Sequence, residues 1–275
     1  MNRTITQTLA AAQLDPVDAR ALLRHVLGVD AAYLIANSTQ VLSDTQSEYF
    51  AALTARRGAS EPVAYIVGRR EFFSLEFEVT PAVLIPRPET ELLVEFALDK
   101  VASDGESRIL DLGTGSGCIA ISIVKHRPRT RVVAVDSSAA ALAIARENAQ
   151  LHAVTNLDFM QGDWFSALAG RRFDVIVANP PYVAASDSHL KQGDPRFEPA
   201  AALIGGADGL ECIRLIVAAA PSYLSRSGWL AFEHGYDQAV SCRRLLADAG
   251  YSEVFSRADL AGIERISGGR RPAQS

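Results

Sequence analysis

Apolar residues in the first sixty positions recur at the spacing of amphipathic helices. One helix is predicted to begin at Pro16, behind the capping candidate Asp15, and to end at Gly28, because proline favours a first turn and glycine a helix end. Its apolar positions are Ala19, Leu22, Leu23, Val26 and Leu27. A second helix is predicted from Ser43 through Ala55. These patterns indicate a small helical bundle in which no residue suggests catalysis.

The pattern changes after Pro62. Residues 71–79 alternate apolar and acidic side chains in their second half, which predicts a strand or a hairpin. The next segment, residues 83–91, contains Pro86 and Pro88, and two prolines this close together predict a stiff, extended loop. We therefore predict an N-terminal helical domain over residues 1–70, a hairpin and linker over 71–90, and a larger domain over 91–275.

From Arg108 onward, short apolar runs alternate with helical patterns. This alternation predicts an α/β domain whose mostly parallel sheet is covered by helices on both faces. The predicted strands lie at residues 108–111, 132–136, 157–160, 175–178 and 228–232. Residues 251–255 and 263–267 predict an antiparallel hairpin at the sheet edge, and the tail, residues 268–275, is expected to fray.

Composition narrows the classes of protein that need to be considered. The net charge of −5 provides no overall basic field, so no direct nucleic-acid partner is expected. The three cysteines are far apart and odd in number, and the histidines share no metal-like spacing, so neither a disulfide framework nor a metal site is expected. Because no signal peptide or membrane-spanning run is visible, we expect a cytoplasmic protein without a membrane partner.

A glycine-rich loop, Asp111-Leu112-Gly113-Thr114-Gly115-Ser116-Gly117, follows the first predicted strand of the larger domain. Glycines let the backbone turn sharply and let a ligand approach it closely. The dinucleotide fingerprint would put glycine or alanine where this chain has Cys118, which favours a nucleoside without phosphates. The next strand ends at Asp136, whose carboxylate can accept hydrogen bonds from two ribose hydroxyls. We predict that this loop and Asp136 bind a nucleoside.

The segment Gly162-Asp163-Trp164 follows the third strand and falls on the same rim. The Asp163 carboxylate can accept a hydrogen bond from an adenine amino group, and the Trp164 indole can lie along the base. An Asp-Trp pair at a strand end is also common as a purely structural turn. Its position beside the other two elements favours the binding role.

The segment Asn179-Pro180-Pro181-Tyr182 follows the fourth strand and is expected beside the glycine loop if the strand order reverses there. A planar amide or aromatic amine nitrogen is a poor nucleophile, because its lone pair is delocalised. The Asn179 side-chain oxygen and the Pro180 carbonyl can each accept one N–H, which would hold such a nitrogen in line with a sulfonium methyl group. Tyr182 offers a flat face to a planar substrate. We predict Asn179, Pro180 and Tyr182 as catalytic residues, all four as substrate-binding, and Asn179 also beside the cofactor.

Together these motifs resemble the release-factor glutamine methyltransferases, the PrmC/HemK family. The resemblance covers nearly the whole chain. Besides the motifs above, it includes residues 62–68, Glu71-Phe72-Phe73, residues 84–91, Arg196-Phe197-Glu198-Pro199 and residues 205–210. The combination is more specific than any single motif, because the Asn-Pro-Pro-Tyr loop also occurs in methyltransferases that act on adenine or guanine amino groups.

The resemblance implies a Rossmann-like class I methyltransferase sheet that carries a small N-terminal helical domain. It implies N5-methylation of the glutamine in the Gly-Gly-Gln motif of peptide chain release factors, with S-adenosyl-L-methionine as the methyl donor. The cofactor would lie on Gly113 to Gly117, Asp136, Asp163 and Trp164, under the linker at residues 86–90. The helical domain would dock on the release factor.

Two alternatives stay open at this point. One is a nucleic-acid amino-group methyltransferase, and the other is an S-adenosylmethionine-binding module without enzymatic activity. The chain also departs from the family pattern at one position: it has Glu233-His234-Gly235 where the family more usually has Glu-Ile-Gly. His234 is therefore either a packed variant or a residue of the active-site rim.

Overall fold

The computed structural model describes residues 3–102 and 105–271, which form two compact units. The first unit extends to Arg69 and also includes Gln192–Phe197, and the second comprises Arg70–Lys191 and the residues from Glu198 onward. Among the described residues, no helix is both long and apolar enough to cross a membrane.

The first unit is helical, as the apolar spacing predicts. Its helices are α1 (Ile5–Ala11), α2 (Pro16–Leu27), α3 (Ala31–Ala36), α4 (Asp44–Gly58) and α5 (Val63–Val67). The Asp15 side chain accepts the Val17 N–H at 2.8 Å, and Gly28 ends α2 with a φ of 65°. Helix α4 begins with a capping box formed by Ser43 and Gln46. The short helices α1, α3 and α5 were not predicted, because five to seven residues are too few to show an apolar period.

Buried apolar side chains from these helices form one core. It includes Leu22 and Leu23 of α2, Phe50 and Leu53 of α4, and Ile5 of α1. Because buried residues recur every three to four positions on each long helix, as Ala19 and Leu23 do on α2 and Phe50 and Leu53 do on α4, each helix buries a single stripe. This packing confirms the predicted helical bundle.

A hairpin follows the first helices. Its strands are β1 (Arg69–Phe72) and β2 (Leu75–Glu78), which form a separate two-stranded sheet. The turn residues Phe73 and Ser74 have φ values of 50° and 59°, the left-handed conformation of a type I′ turn, without the glycine or asparagine that usually marks one. The Phe73 N–H donates to the Glu91 carboxylate at 2.8 Å, which ties the turn to the first residue of α6 (Glu91–Lys100).

The second unit is built on a seven-stranded sheet with the order β5-β4-β3-β6-β7-β9-β8. Its further elements are β3 (Arg108–Leu112), α7 (Cys118–His126), β4 (Arg131–Asp136), α8 (Ala139–Leu151), β5 (Leu157–Gln161), β6 (Phe173–Ala178), α9 (Ala200–Leu203), α10 (Glu211–Ala219), β7 (Leu224–Glu233), α11 (Ala239–Asp248), β8 (Ser252–Ala258) and β9 (Glu264–Arg270). Strands β3 to β7 pair in parallel, whereas β9 pairs antiparallel with β7 and β8. The predicted α/β class and the antiparallel edge hairpin are both confirmed.

Successive residues of the parallel strands enter different cores. Ile109 packs in the core that contains α6 and α7, whereas Leu110 packs in the core that contains α10 and α11. Both side chains are fully buried, which explains why the strand reads as a continuous apolar run. The sheet is therefore covered on both faces, as predicted.

The prediction of a frayed tail is wrong for residues 268–270, which belong to β9, and residues 272–275 lie outside the described residues. The reason is steric. A Cβ on Gly268 would collide with the Leu230 carbonyl oxygen and would lie 2.6 Å from Cζ of Phe255. Glycine here permits close packing inside the sheet and does not mark a loose end.

Candidate functional site

The strand order reverses between β3 and β6, which pair directly and in parallel. Open α/β sheets bind ligands at such a point, outside the carboxyl ends of the strands. A cavity opens here, and the predicted residues that line it are Gly113, Thr114, Gly115, Ser116, Asp136, Asp163, Trp164, Asn179 and Pro181. The glycine loop and the Asn179 segment are thus neighbours, as the usual strand order predicts.

Backbone hydrogen bonds fix the start of the glycine loop. The N–H groups of Gly113 and Thr114 both donate to the Val135 carbonyl, at 2.8 and 3.0 Å, which ties the loop to the end of β4. The Thr114 hydroxyl donates to the Asp111 carboxylate at 2.6 Å. Asp111 is completely buried, and this burial raises its pKa to about 7. Asp111 therefore stabilises the loop from behind.

Gly117 does not line the cavity. It has a φ of 81°, and a Cβ at this position would lie 3.0 Å from Cδ1 of Ile121 and 3.2 Å from Cβ of Ala145. Since a side chain here would meet both α7 and α8, Gly117 allows the helices and the loop to pack closely. The structure thus places this predicted ligand-binding residue in a packing position.

Asp136 lies at the end of β4 and is half-buried. One carboxylate oxygen accepts the Gly115 N–H at 2.9 Å, and the other accepts the Ser138 N–H at 2.9 Å. A carboxylate has about four acceptor positions, so each oxygen can accept a further hydrogen bond from the cavity. This arrangement fits the two adjacent hydroxyls of a ribose.

Trp164 has a backbone φ of 47°, a left-handed conformation that residues with side chains rarely adopt. Its indole lies next to the glycine loop: a Cβ on Gly113 would lie 3.7 Å from Cζ3 of Trp164. Asp163 is exposed and also faces the cavity. An aromatic surface beside an open carboxylate fits a base that carries an amino group.

A chain of hydrogen bonds connects Asn179 to a buried acid. The Asn179 side-chain N–H donates to the Thr90 hydroxyl oxygen at 3.2 Å, and that hydroxyl donates to one oxygen of Glu233 at 2.6 Å. The Tyr182 hydroxyl donates to the other Glu233 oxygen at 2.9 Å. Burial raises the pKa of Glu233, although the hydrogen bonds from Thr90 and Tyr182 oppose this effect.

Glycines support the backbone after Asn179. A Cβ on Gly205 would collide with the Pro181 carbonyl, and a Cβ on Gly209 would collide with the Tyr182 carbonyl. The Gln238 side-chain amide also donates to the Tyr182 carbonyl at 3.0 Å. The Asn179 segment therefore rests on closely packed backbone, which holds its acceptors in place.

The segment before α6 forms a further wall of the cavity. Ala82, Val83, Leu84, Pro86 and Thr90 line it from this side. Glu198 holds the segment, because its carboxylate accepts the Ile85 N–H at 3.0 Å and the Arg87 guanidinium at 2.5 Å. The linker role that the family resemblance implies for residues 86–90 stays a prediction.

Several predicted residues lie apart from the cavity wall. Pro180 is buried and Tyr182 is half-buried with its hydroxyl on Glu233, and neither lines the cavity. His234 is fully buried and bonds to the Gly235 carbonyl and the Ser267 hydroxyl, which identifies it as a packed residue. Glu89 lies in a 3₁₀ turn, Pro88–Thr90, and does not line the cavity either.

Sequence reasoning did not identify Thr90 or Glu233 as residues of the site. Glu233 did carry a signal, because an acidic residue ends the apolar strand β7 just as Asp136 ends β4. Among the described residues, no group of three or more His, Cys, Asp or Glu side chains is arranged to hold a metal ion.

Comparisons with known proteins identify both parts of the chain. The family model described as the PrmC N-terminal domain matches residues 2–68, and that of the methyltransferase small domain matches residues 88–204. A release factor glutamine methyltransferase from Burkholderia pseudomallei is 52% identical and aligns over 98% of this chain and 96% of its own length. One from Xylella fastidiosa is 49% identical over 96% of both chains.

The fold is also found among solved structures. A 16S rRNA methyltransferase from T. thermophilus, in complex with AdoMet and guanosine, has a TM-score of 0.55 at 20% identity, over 74% of this chain and 49% of that one. At this identity the likeness concerns the fold alone. The two curated relatives are far more similar over nearly their full length, and by this similarity the chain belongs to the release factor glutamine methyltransferase family.

Proposed function

We propose that this enzyme uses S-adenosyl-L-methionine to methylate the side-chain amide nitrogen, N5, of the glutamine in the Gly-Gly-Gln motif of peptide chain release factors. The main support is that Asn179 and the glycine loop line one cavity at the reversal point of the sheet. The names of the curated relatives support the same substrate class.

Residues of the β3 and β4 ends would hold the cofactor. Asp136 would accept the ribose hydroxyls, Asp163 the amino group of the base, and Trp164 would lie along the base. The backbone from Gly113 to Ser116 would contact the rest of the molecule. When bound, the cofactor supplies a methyl group on a sulfonium, which is already an excellent leaving group.

Residues of the β6 end would hold the substrate amide. The Asn179 side-chain oxygen and the Pro180 carbonyl would each accept one N–H, and Tyr182 would lie beside the amide plane. These contacts fix the nitrogen in line with the methyl group and favour the loss of planarity that frees its lone pair. The nitrogen would form its new bond to carbon as the carbon–sulfur bond breaks and the sulfur leaves as a neutral thioether, and the methylated nitrogen would then lose one proton to water. Preorganised positioning of this kind lowers the barrier by about 7–11 kcal/mol in the best intramolecular cases.

The partner would bind through the helical part of the chain. We assign residues 1–70 to docking on the release factor, residues 71–90 to the hairpin and linker, and residues 91–275 to catalysis. Support comes from the match of a separate family model to residues 2–68, while the site described above lies entirely within the second unit.

Methyl-labelled S-adenosylmethionine distinguishes this function from its alternatives. The enzyme is incubated separately with a release factor, with DNA and with RNA, and the label is located by mass spectrometry. We expect label on the motif glutamine and none on a release factor whose motif glutamine is replaced by leucine. Label on nucleic acid alone would identify an amino-group methyltransferase of nucleic acids. Absence of label from every substrate would favour a binding module.

Asn179→Ala tests the role of the acceptor loop. We expect it to abolish methylation of the release factor and to leave cofactor affinity nearly unchanged, because the ribose and base contacts are made elsewhere. Turnover is measured by mass spectrometry and affinity by isothermal titration calorimetry. A large loss of cofactor affinity would show that the loop serves mainly the cofactor.

A further inference from the structure

The side-chain amide of Asn179 has two different ends. Its oxygen accepts hydrogen bonds, whereas its nitrogen only donates them. Under the proposed function, the oxygen must face the substrate nitrogen, because a turned amide would set its own N–H groups against those of the substrate. Something in the protein must therefore select one of the two orientations.

Thr90 makes that selection through the single proton of its hydroxyl. The hydroxyl lies 2.6 Å from the Glu233 carboxylate and donates its proton there. Its oxygen then has only lone pairs to offer to Asn179, and the Asn179 nitrogen lies 3.2 Å away and donates to it. A reversed Asn179 would place two acceptors against each other without a proton between them.

The surroundings keep this arrangement in place. Thr90 and Glu233 are each 2% exposed, so water does not compete for the bond between them. A hydrogen bond from a hydroxyl to a carboxylate is among the stronger ones in proteins, and burial in the protein interior makes it stronger still. The Thr90 N–H donates to the Arg87 carbonyl at 3.1 Å in the 3₁₀ turn that leads into α6, which fixes the backbone position of Thr90.

The second oxygen of Glu233 also accepts a hydrogen bond. It accepts the Tyr182 hydroxyl at 2.9 Å, so both oxygens of the carboxylate act as acceptors. The carboxylate thus sets the direction of every bond in the chain, and the Asn179 amide is the last member of that chain. Tyr182 and Asn179 belong to the same short loop, so one buried acid orients both ends of it.

We propose that Thr90, anchored by Glu233, is a positioning residue that turns the Asn179 side-chain oxygen toward the methyl-accepting nitrogen. This role rests on the proposed function of Asn179. It predicts that removing the Thr90 hydroxyl slows the methyl transfer without lowering the affinity for S-adenosylmethionine.

Thr90→Val is the decisive variant, because it keeps the shape of the side chain and removes the hydroxyl. We expect kcat for release-factor methylation to fall about 10- to 100-fold, the size of effect that misplacement of a reacting group produces. KM for the release factor and Kd for S-adenosylmethionine should stay near the wild-type values. Thr90→Ser keeps the hydroxyl and should restore most of kcat.

Thr130→Val is the matched control. Thr130 is equally buried, its hydroxyl has no hydrogen-bond partner within the described part of the chain, and it precedes β4 at the opposite end of the sheet. It should leave kcat unchanged. Thermal unfolding of each variant shows whether any loss of kcat accompanies a loss of folded protein.

The outcomes separate this proposal from the proposed function. If Asn179→Ala abolishes methylation but Thr90→Val keeps wild-type kcat, the positioning role is wrong and the proposed function stands. If Asn179→Ala itself leaves methylation intact, the proposed role of the loop is wrong. A rise in cofactor Kd that accounts for the loss in Thr90→Val would assign Thr90 to the cofactor and overturn the proposal.

Glu233→Gln tests the anchor. If Glu233 acts through Thr90, this change should lower kcat in the wild-type background and have no further effect in Thr90→Val. An equal effect in both backgrounds, or none in either, would remove Glu233 from the proposal. If Thr90→Val does not fold, Thr90→Ala measured against Thr90→Ser provides the same comparison.

Discussion

Strands β4 and β7 run in the same direction, and each ends in an acidic residue at the same edge of the sheet. The two acids have different environments. Asp136 at the end of β4 is half-buried, lines the cavity, and accepts the backbone N–H groups of Gly115 and Ser138. Glu233 at the end of β7 is 2% exposed, does not line the cavity, and accepts two side-chain hydroxyls.

Under the proposed function, this difference distinguishes a residue that would bind the cofactor from one that would hold the binding residues in place. Asp136 keeps acceptor capacity open to the cavity and can exchange water for ribose hydroxyls. Both carboxylate oxygens of Glu233 accept hydrogen bonds from buried or half-buried side chains, and burial raises the pKa of Glu233. The same pattern of an apolar strand followed by an acid thus occurs in two environments, and burial distinguishes them.

The largest effect is expected from Asp136→Ala. A hydrogen bond to a charged group contributes about 1.5–3 kcal/mol. Loss of the ribose contacts should therefore raise Kd for S-adenosylmethionine about 10- to 100-fold or more, at 1.4 kcal/mol for each factor of ten. At saturating cofactor, kcat should change little. Isothermal titration calorimetry and steady-state kinetics measure the two quantities.

Asp158→Ala is the control for this change. Asp158 is an exposed residue of the neighbouring strand β5 and does not line the cavity. Its replacement should leave Kd unchanged. A wild-type Kd in Asp136→Ala would mean that the open carboxylate is not a ribose acceptor, and the contrast with Glu233 would lose its first half.

Glu233→Ala should act on stability. It leaves the hydroxyls of Thr90 and Tyr182 without their acceptor, and an unsatisfied buried polar group costs about 1–3 kcal/mol. We expect the free energy of unfolding of the cofactor-free protein to fall by at least that amount in urea titrations followed by circular dichroism. Asp136→Ala should cost less, because water can reach the N–H groups of Gly115 and Ser138. A greater loss in Asp136→Ala than in Glu233→Ala would contradict the distinction.

The same two acids show what the sequence can predict. Asp136 and Asn179 were predicted because each lies where an apolar strand stops, beside a loop of unusual composition. Such signals are local. The role of Glu233 depends on Thr90 and Tyr182, which lie 143 and 51 residues away along the chain, and no local pattern records those contacts.

The fold shows the same distinction between local patterns and contacts between distant residues. Apolar runs predicted the parallel strands and the edge hairpin, since burial on both faces leaves a mark in each strand. The tail was predicted to fray from residue 268, but residues 268–270 belong to β9, because the crowding of Gly268 by Leu230 and Phe255 becomes visible only once the strands are paired. The hairpin turn at Phe73 and Ser74 likewise has positive φ values without the usual turn residues.

The smallest effect is expected at His234, the neighbour of Glu233 along the chain. Burial lowers the pKa of His234 below its ordinary value of 6.5. The folded state therefore favours the neutral ring, and this contribution to stability is present above pH 6.5 and is lost as the pH falls below it through the folded pKa. His234→Gln cannot titrate, so its free energy of unfolding should fall less on acidification than that of the wild type.

His234→Gln should keep the wild-type kcat at neutral pH. His234 bonds to Ser267 of β9, whereas Glu233 bonds to Thr90 and Tyr182. Adjacent residues of an extended chain point to opposite faces. A loss of kcat in His234→Gln at full stability would therefore mean that residues on both faces of the β7 end hold the Asn179 segment in place. The contrast between Asp136 and Glu233 would then apply to the whole ends of β4 and β7 and not to these two side chains alone.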